Sequence, residues 1–330
     1  MKKIGIIGCG WVSEFYGKCV ERMASRCRIA WVAEPDAEKA ANFTAKFGGE
    51  ILHEYRGELA DGIVVATPHF LHHRNCLDAM GKCAVMLVEK PLGLSVAECD
   101  EIIAARDKSE TRLLLGYVNR FRKGPLAMKA QIEAGRIGEP LTFDISQLGF
   151  QESYIGGWIL KRETLGGGCF FSSAGHLIDL SAWMLGPIER LQVELARRRL
   201  HRMEGEDTAL ALARFESGLI GTIRESWCAK SPKAWQAMTV YGSEGTLEWT
   251  YQPREAVPQW QTCLWDGTLV LRMEGKADEV IHQDAALFDF DGQMTHFLDC
   301  LEGRAEPSCT AEDGREVIRL VRAAEALAKL

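Results

Sequence analysis

Short apolar runs alternate with amphipathic segments through the first third of the chain. The apolar runs occupy residues 3–7, 28–33, 62–66, 84–88 and 112–115, and helix-compatible segments that end near residues 24, 47, 80 and 107 follow the first four. Because these runs are apolar at successive positions, they are typical of strands buried on both faces of a parallel sheet. Strands separated by helices in this way predict an α/β fold with a doubly wound parallel sheet.

After residue 120 the apolar positions form longer β-type runs. These occupy residues 141–150, 191–199, 207–227, 235–251 and 266–274, and helices are expected around residues 125–134, 176–185, 286–302 and 312–329. Residues 216–218 and 242–245 look like hairpin turns, which predicts a large, mostly antiparallel open sheet in an α+β domain. We therefore place a doubly wound α/β domain at residues 1–119 and a second, α+β domain at residues 120–330.

The second domain carries the expectation of a homo-oligomer. Helices on one face of an antiparallel sheet leave the other face free to bury against a second subunit. Trp227, Trp235 and Trp249 lie on or beside the predicted strands. We expect them to contribute to a homodimer or homotetramer contact.

The turn after the first apolar run carries a dinucleotide-binding pattern. Gly8 and Gly10 match the first two glycines of G-x-G-x-x-G, and Ser13 stands at the third. The first glycine permits the tight turn, the second lets the backbone approach a pyrophosphate, and the third eases helix packing, where serine is a mild change. With the intervening Trp11 and Val12, they predict a Rossmann phosphate site at the N-terminus of the next helix. A chance glycine turn is the alternative.

An acidic residue near the end of the second predicted strand completes this pattern. Glu34 lies 24 positions beyond Gly10. A carboxylate there accepts hydrogen bonds from the ribose hydroxyls and repels a 2′-phosphate, so the sequence favours NAD as the cofactor, with NADP still possible. The alternative is an ordinary exposed glutamate before a proline.

Further segments occur in the order found in a known enzyme family. They are Ala66-Thr67-Pro68-His69-Phe70-Leu71-His72, Val88-Glu89-Lys90-Pro91-Leu92, and Gly166-Gly167-Gly168 followed by His176 and Asp179. Shorter matches follow at residues 116–121, 135–140, 242–247 and 310–314. In this order they resemble the Gfo/Idh/MocA oxidoreductases, which include glucose-fructose oxidoreductase and inositol 2-dehydrogenase. The resemblance covers nearly the whole chain.

The resemblance implies an NAD(P)-dependent enzyme that transfers a hydride between nicotinamide and a secondary alcohol of a sugar, cyclic polyol or sugar derivative. It implies that Thr67 and Pro68 line the nicotinamide side of the cofactor site, with His72 just beyond them. It also implies that Glu89 and Lys90 bring the lysine to the nicotinamide and the substrate hydroxyl. From the residues alone, these segments lie on loops after strands, where a doubly wound sheet holds its ligands. The alternative for Lys90 is a surface lysine before a proline turn.

One position departs from the commonest family pattern. Many members have Asp where this chain has Ser172, four residues before His176. In a helix the two positions would share a face, and the resemblance directs both into the active site. The missing carboxylate weakens the transfer of a Lys-Asp-His mechanism. A core histidine with Asp179 as its helix neighbour is the alternative for His176.

Oxidation of a secondary alcohol needs a hydride acceptor, which a nicotinamide supplies, and a base for the hydroxyl proton. Lys90 and His176 are the two candidates. A lysine with a pKa of about 10.4 is a poor base at neutral pH unless its surroundings lower that pKa, whereas an imidazole titrates near neutrality. We favour His176 as the base and Lys90 as the group that polarises the substrate oxygen. The reverse assignment stays open.

Substrate contacts are expected from the second domain and its junction with the first. The candidates are Asn119, Arg120, Trp158, Lys161, Ser172 and His176. An indole can stack on the apolar face of a sugar ring, and cationic side chains can bind hydroxyl or carboxylate oxygens. A core aromatic residue and solvated charges are the alternatives.

Charge and composition narrow the partners. A formal net charge of −7 argues against nucleic acid and anionic membrane, since both favour a basic surface. No apolar run reaches the ~18 residues that a membrane span needs. His69, His72 and His73 lack Cys or carboxylate ligands at suitable spacing, so no metal site is expected. We expect a cytoplasmic enzyme with a small-molecule partner.

Two other functions fit parts of the pattern. Some relatives are NAD-dependent glycosidases, which use transient oxidation and release an aglycone without net NADH. A sensor that binds dinucleotide and sugar without turnover is the other alternative. Ser172 favours the sensor, whereas the presence of Lys90 and His176 speaks against it.

Overall fold

A computed structural model of the protein describes residues 1–149, 155–230, 235–255, 263–288 and 290–328. The chain forms two units, each with its own sheet. The first unit contains Met1–Val118 and Asp289–Ile318, and the second contains Asn119–Phe288 and Arg319–Leu330. Each unit is therefore assembled from two separate stretches of the chain.

A six-stranded parallel sheet forms the centre of the first unit. Its strands are β1 (Lys2–Ile7), β2 (Cys27–Ala33), β3 (Glu50–Leu52), β4 (Gly62–Val65), β5 (Val85–Val88) and β6 (Arg112–Leu115), in the order β3-β2-β1-β4-β5-β6. The helices α1 (Ser13–Arg22), α2 (Ala37–Phe47), α3 (His72–Ala79) and α4 (Val96–Asp107) alternate with them. Strands β4 and β5 are buried at every position. The predicted doubly wound parallel sheet is confirmed, with the short, largely exposed edge strand β3 as an addition.

Side-chain caps set where two of these helices begin. The Asp36 carboxylate accepts two backbone N–H groups from the first turn of α2, and the Ser95 hydroxyl accepts one from the first turn of α4. Such caps satisfy amide groups that the first helical turn leaves without an intrahelical partner. The caps fix the helix starts close to Glu34 and Lys90 in the sequence.

An eight-stranded sheet forms the centre of the second unit. Its strands are β7 (Pro140–Leu148), β8 (Ile188–Ala196), β9 (Thr208–Phe215), β10 (Ile220–Ser226), β11 (Gln236–Gly242), β12 (Thr246–Pro253), β13 (Leu264–Arg272) and β14 (Glu279–Leu287), in the order β14-β13-β12-β11-β7-β10-β9-β8. Neighbouring strands are antiparallel except β7 and β10, which are parallel. The predicted hairpins join β9 to β10 and β11 to β12, so the mostly antiparallel sheet is confirmed. The apolar pattern of the sequence did not predict strand β14, because none of its residues is fully buried.

The remaining helices divide between the units. The helices α5 (Lys123–Glu133), α6 (Arg162–Leu165), α7 (Cys169–Ser172) and α8 (Ala174–Leu185) belong to the second unit, where α5 packs on β12–β14 and α8 on β7 and β10. Helix α9 (Asp291–Leu301) belongs to the first unit, and α10 (Ala311–Leu327) contributes residues to both. Gly62 in β4 makes room for α9, because an added Cβ would lie 2.6 Å from the Phe297 ring. Across the described ranges, no helix combines the length and apolarity needed to cross a membrane.

The two faces of the eight-stranded sheet differ in what they expose. Trp227 and Trp249 are only 3% and 1% exposed, and Trp235 is half-buried. The prediction that Trp227 and Trp249 form a subunit contact is therefore wrong, because both belong to the core of the unit itself. The face opposite the helices presents large apolar side chains that are 40–56% exposed, namely Leu210, Leu212, Ile220 and Tyr241.

Candidate active site

The glycine turn after β1 is closed by contacts with the neighbouring loop. Gly8 has a φ of +94°, and an added Cβ would lie 2.8 Å from the Ala66 carbonyl oxygen, so only glycine fits there. Ser13, at the third motif position, is fully buried, and its hydroxyl donates to the Gly8 carbonyl oxygen at 2.6 Å. Serine therefore holds the turn with a hydrogen bond that a glycine side chain does not offer.

The space beside Gly10 is open. Gly10 lies outside the positive-φ region, and a Cβ placed there would meet no described atom within 4 Å. The packing of the described residues therefore does not require glycine at this position. Helix α1 begins nearby without a side-chain cap at Val12, and Trp11 is 47% exposed. Open space next to the N-terminus of a helix fits a dinucleotide pyrophosphate.

Glu34 lies directly after β2 and binds the glycine turn. One of its carboxylate oxygens accepts the Cys9 N–H at 2.9 Å, and the other accepts the Asp36 N–H at 3.0 Å. Each oxygen has two lone pairs and retains capacity for a further donor. A carboxylate in this place fits the ribose hydroxyls of NAD and opposes a 2′-phosphate.

A buried histidine holds the loop after β4. His72 is 0% exposed, and its Nε2 and Nδ1 lie 2.8 and 2.6 Å from the carbonyl oxygens of Thr67 and Pro91. Burial lowers the pKa of His72, and the two carbonyl groups act in the opposite direction. A neutral imidazole has one N–H and so donates to one of the two oxygens. His72 thus ties the loop of Thr67 and Pro68 to the loop of Lys90, and its contact with a cofactor stays a prediction.

The loop after β5 carries Glu89 and Lys90. Glu89 is buried, accepts the Tyr16 hydroxyl at 2.5 Å through Oε1, and accepts the Lys90 backbone N–H at 3.2 Å through Oε2. Lys90 is half-buried, and its peptide bond to Pro91 is cis. Because the carboxyl ends of parallel strands share one edge of the sheet, Lys90 lies at the same edge as the glycine turn and Glu34.

In the second unit, residues 166–168 permit very close packing. A Cβ added at Gly166 would lie 2.2 Å from the Phe171 ring, and one added at Gly168 would lie 2.2 Å from the Glu206 carbonyl oxygen. The buried Glu206 carboxylate also accepts a backbone N–H from the first turn of α7 at 3.0 Å. The glycines and Glu206 therefore fix the start of the helix that ends at Ser172.

Ser172 and His176 lie on the consecutive helices α7 and α8, which join at Ser173. Ser172 is 7% exposed and His176 is half-buried. The Ser173 hydroxyl accepts the indole N–H of Trp227 at 2.7 Å, and the Ser173 carbonyl oxygen accepts the His176 N–H at 3.0 Å. These contacts fix the backbone that carries His176, and its role as a base stays a prediction.

Arg120 forms a buried ion pair with Asp179. Its Nε and Nη2 donate to the two carboxylate oxygens at 2.8 and 2.5 Å, and the two side chains are 6% and 1% exposed. Asp179 lies in α8, three residues after His176, so the pair connects this helix to the turn after β6. Asn119, beside Arg120, is 4% exposed. The Nε and Nη2 of Arg120, which could otherwise bind a substrate carboxylate, therefore already donate to Asp179.

Two of the predicted substrate residues are more accessible. Trp158 is half-buried in the 3-10 turn Gly157–Leu160, and Lys161 is exposed just before α6. The Trp158 carbonyl oxygen accepts the Thr164 hydroxyl at 2.5 Å, which ties the turn to α6. Both side chains retain the exposure that a ligand contact requires.

Comparison with known proteins extends the resemblance beyond single motifs. The pattern of the oxidoreductase family with an NAD-binding Rossmann fold matches residues 2–117, and the pattern of the GFO/IDH/MocA C-terminal domain matches residues 126–248. The chain belongs to the GFO/IDH/MocA family. These matches confirm the predicted fold class and the NAD-binding Rossmann domain. They also confirm the family resemblance that was inferred from the ordered segments. Like the members it matches, it is an NAD(P)-dependent oxidoreductase.

Individual members of the GFO/IDH/MocA family are distant relatives. The chain is 28% identical over 258 residues to the 1,5-anhydro-D-fructose reductase of Ensifer adhaerens, with 77% of this chain and 73% of that protein covered. It is 23% identical over 254 residues to the myo-inositol 2-dehydrogenase of Thermotoga maritima, with 74% of each covered. The WlbA dehydrogenase of Bordetella pertussis, solved with NADH and UDP-GlcNAcA, shares the fold at a TM-score of 0.79 and 20% identity, over 98% of this chain and 95% of that one.

Sequence reasoning missed three residues that organise these family motifs. Tyr16 binds Glu89, Gln293 donates to the Tyr16 hydroxyl at 2.9 Å, and Glu206 anchors α7. The sequence does contain a signal for Tyr16, because it lies one helical turn after Ser13 and the helical spacing predicts that both residues are on the buried face of α1. The sequence contains no such signal for Gln293, since its partner Tyr16 is 277 positions away.

Proposed function

We propose that the protein transfers a hydride between NAD and a secondary alcohol of a sugar, a cyclic polyol or a sugar derivative. The observation that carries this proposal is the half-buried Lys90 at the same sheet edge as the open glycine turn. The relatives named above are a sugar-derivative reductase and a polyol dehydrogenase, which supports the class of substrate.

The residues of the first unit fit a dinucleotide. Gly8 and Gly10 with Trp11 and Val12 would hold the pyrophosphate, and Glu34 would hold the ribose hydroxyls and favour NAD over NADP. Thr67, Pro68, His72, Glu89 and Lys90 complete the proposed cofactor-side residues. When bound, the nicotinamide supplies the acceptor or donor of the hydride.

The proposed roles at the substrate hydroxyl divide between two side chains. Lys90 donates a hydrogen bond from its Nζ to the substrate oxygen and stabilises negative charge that develops there. An imidazole nitrogen of His176 takes the hydroxyl proton during oxidation and returns it during reduction. Imidazole suits this task because its ordinary pKa lies near neutrality.

Proposed substrate contacts lie in the second unit. Trp158 and Lys161 have the required exposure, and Asn119 and Ser172 are retained as candidates beside His176. Arg120 has a different proposed part, because its ion pair with Asp179 holds helix α8 in place.

The function is tested by screening sugars and cyclic polyols for NADH formation, with NADP as the matched comparison. We expect substrate-dependent NADH formation with NAD. Release of an aglycone without net NADH would replace the proposal with a glycosidase. Sugar and dinucleotide binding without turnover for any compound of the panel would replace it with a sensor.

We also propose that the open face of the eight-stranded sheet is a subunit contact. Its exposed apolar side chains form a surface of the kind that monomers seldom present to water. Light scattering is expected to give a particle of two or four times 36.7 kDa. A double variant with Leu212→Glu and Ile220→Glu is expected to lower that mass. A 36.7 kDa particle for the unmodified protein at all working concentrations would contradict the proposal.

A further inference from the structure

A hydrogen-bonded chain of three buried side chains ends next to Lys90 in the first unit. Gln293 Nε2 donates to the Tyr16 hydroxyl at 2.9 Å, and the Tyr16 hydroxyl donates to Glu89 Oε1 at 2.5 Å. Gln293 and Tyr16 are 0% exposed, and Glu89 is 7% exposed. The chain therefore links α9, α1 and the loop after β5 away from solvent.

The direction of these hydrogen bonds follows from the groups involved. An amide nitrogen only donates, so the Tyr16 oxygen accepts from Gln293 and its single proton is left for Glu89. The other oxygen of Glu89 accepts the Lys90 backbone N–H at 3.2 Å. Both carboxylate oxygens thus receive a donor, which is the arrangement that favours the ionised form of an acid.

The surroundings of Glu89 make its charge state depend on these donors. Burial raises the pKa of Glu89 above its ordinary value, and the Tyr16 hydroxyl, the charge on Lys90 and the Lys90 N–H limit that rise. Gly116, after β6, packs closely against the Glu89 carboxyl carbon, since an added Cβ would lie only 3.2 Å from it, and a glycine brings no charge there. Burial and the Glu89 charge raise the pKa of Tyr16 well above its ordinary value, so the phenol keeps the proton that it donates.

We propose that Tyr16 and Gln293 are positioning residues that keep Glu89 ionised as a buried counter-charge to Lys90 and to the oxidised nicotinamide. The proposal rests on the function proposed above, which brings the dinucleotide to this edge of the sheet. The oxidised ring carries a positive charge that reduction removes, so a fixed carboxylate stabilises NAD⁺ more than NADH. Glu89 therefore sets the relative affinity for the two forms of the cofactor, and Tyr16 controls Glu89.

The test compares the dissociation constants of NAD⁺ and NADH across pH in the full-length protein without substrate. In the unmodified protein the proposal that Tyr16 and Gln293 hold Glu89 ionised requires a nearly constant ratio between about pH 6 and about pH 9. Tyr16→Phe keeps the ring but removes one donor, so the pKa of Glu89 rises. At the low end of this range the ratio of the NAD⁺ to the NADH dissociation constant is expected to be at least about fivefold higher in the variant than in the unmodified protein. At the high end the two proteins are expected to have the same ratio.

Three further variants separate a charge effect from a packing effect. Glu89→Gln is expected to show the reduced preference at every pH and to make an added Tyr16→Phe change silent. Gln293→Leu is expected to shift the ratio in the same direction by less, since Tyr16 keeps its hydroxyl. Tyr55→Phe removes another partly buried hydroxyl of the same unit, which donates to the Glu58 carbonyl oxygen, and should leave the ratio unchanged.

A second readout does not involve the cofactor. Infrared difference spectra of the dinucleotide-free proteins are expected to show one more protonated carboxyl group in Tyr16→Phe than in the unmodified protein at the low end of the pH range, and Glu89→Gln should abolish that difference. A cofactor ratio in Tyr16→Phe that equals the unmodified value at all pH values, in a protein that unfolds cooperatively, would overturn the proposal. Failure of the proposed function would instead leave the binding ratios as described and remove turnover, so the two failures are distinguishable.

Discussion

The loops at the ends of the strands in the first unit and the segment around His176 in the second unit are stabilised in different ways. In the first unit, residues that form the recognisable motifs bind one another. Ser13 donates to Gly8, the Glu34 carboxylate accepts from the glycine turn, and His72 joins two loops through their carbonyl groups. There, the motif and its support are largely the same residues, and Glu89 is the exception, since Tyr16 and Gln293 support it from remote positions in the chain.

The second unit relies on partners that are remote in the chain. Trp227 binds Ser173 from 54 positions away, and Arg120 binds Asp179 across 59 positions. A polar residue in this region therefore supports the scaffold unless its exposure shows otherwise. The comparison teaches that a motif points to candidate cofactor loops directly but does not separate proposed substrate contacts from structural ones.

Loss of either proposed reacting group is the most severe test of this comparison. Lys90→Ala and His176→Ala are each expected to lower turnover by roughly 10²–10⁴-fold, the range for removal of an acid or base. Dinucleotide affinity should change far less, because the glycine turn and Glu34 are the groups proposed to hold the cofactor. Steady-state kinetics and dinucleotide titration measure the two effects, with Lys108→Ala at the exposed end of α4 as the control. Full turnover in Lys90→Ala would contradict its assignment to the reacting hydroxyl.

Breaking the buried ion pair tests whether the second region is chiefly scaffold. Asp179→Asn leaves the Arg120 charge buried without its carboxylate and is expected to lower the free energy of unfolding by about 3–5 kcal/mol. Denaturant titration measures the loss. The matched control is Asp266→Asn in the exposed pair with Arg254, where a far smaller loss of stability is expected. If Asp179→Asn instead keeps its stability and raises only KM, the pair belongs to substrate binding.

A smaller effect is expected at the cofactor ribose. Glu34→Ser combined with Pro35→Arg removes the carboxylate and adds a cation, which should move the ratio of NAD to NADP affinity at least about tenfold toward NADP. Fluorescence titration with both dinucleotides measures it, and Glu38→Ser in the exposed first turn of α2 is the control. A tenfold preference for NADP in the unmodified protein would show that Glu34 does not select the cofactor.

Much of the fold was predictable because local patterns decide it. A few neighbouring residues are enough to predict the buried strands β4 and β5 and the turn at residues 216–218. Strand β14 and the buried positions of Trp227 and Trp249 were not predictable in this way. Whether an aromatic side chain faces the core or a partner depends on sheet register and on the helices above it, and neither is a local property.

The residues of the candidate site also fall into those that a local pattern predicts and those that depend on contacts between remote segments. Gly8, Gly10 and Glu34 could be proposed from spacing, because the Rossmann pattern places residues of those types at characteristic separations along the chain. The Arg120 pair and the contact of Gln293 with Tyr16 connect segments far apart in sequence. A single sequence contains no signal that joins such segments.

The split composition of the first unit has a consequence for synthesis on the ribosome. The stretch that ends at Val118 receives Phe297 and Gln293 only after residues 119–288 have been translated. At typical rates of translation this takes on the order of ten to thirty seconds. During that interval the surface around Gly62 lacks the helix that later covers it. The nascent chain is therefore expected to present a chaperone with an apolar surface that the finished enzyme no longer exposes.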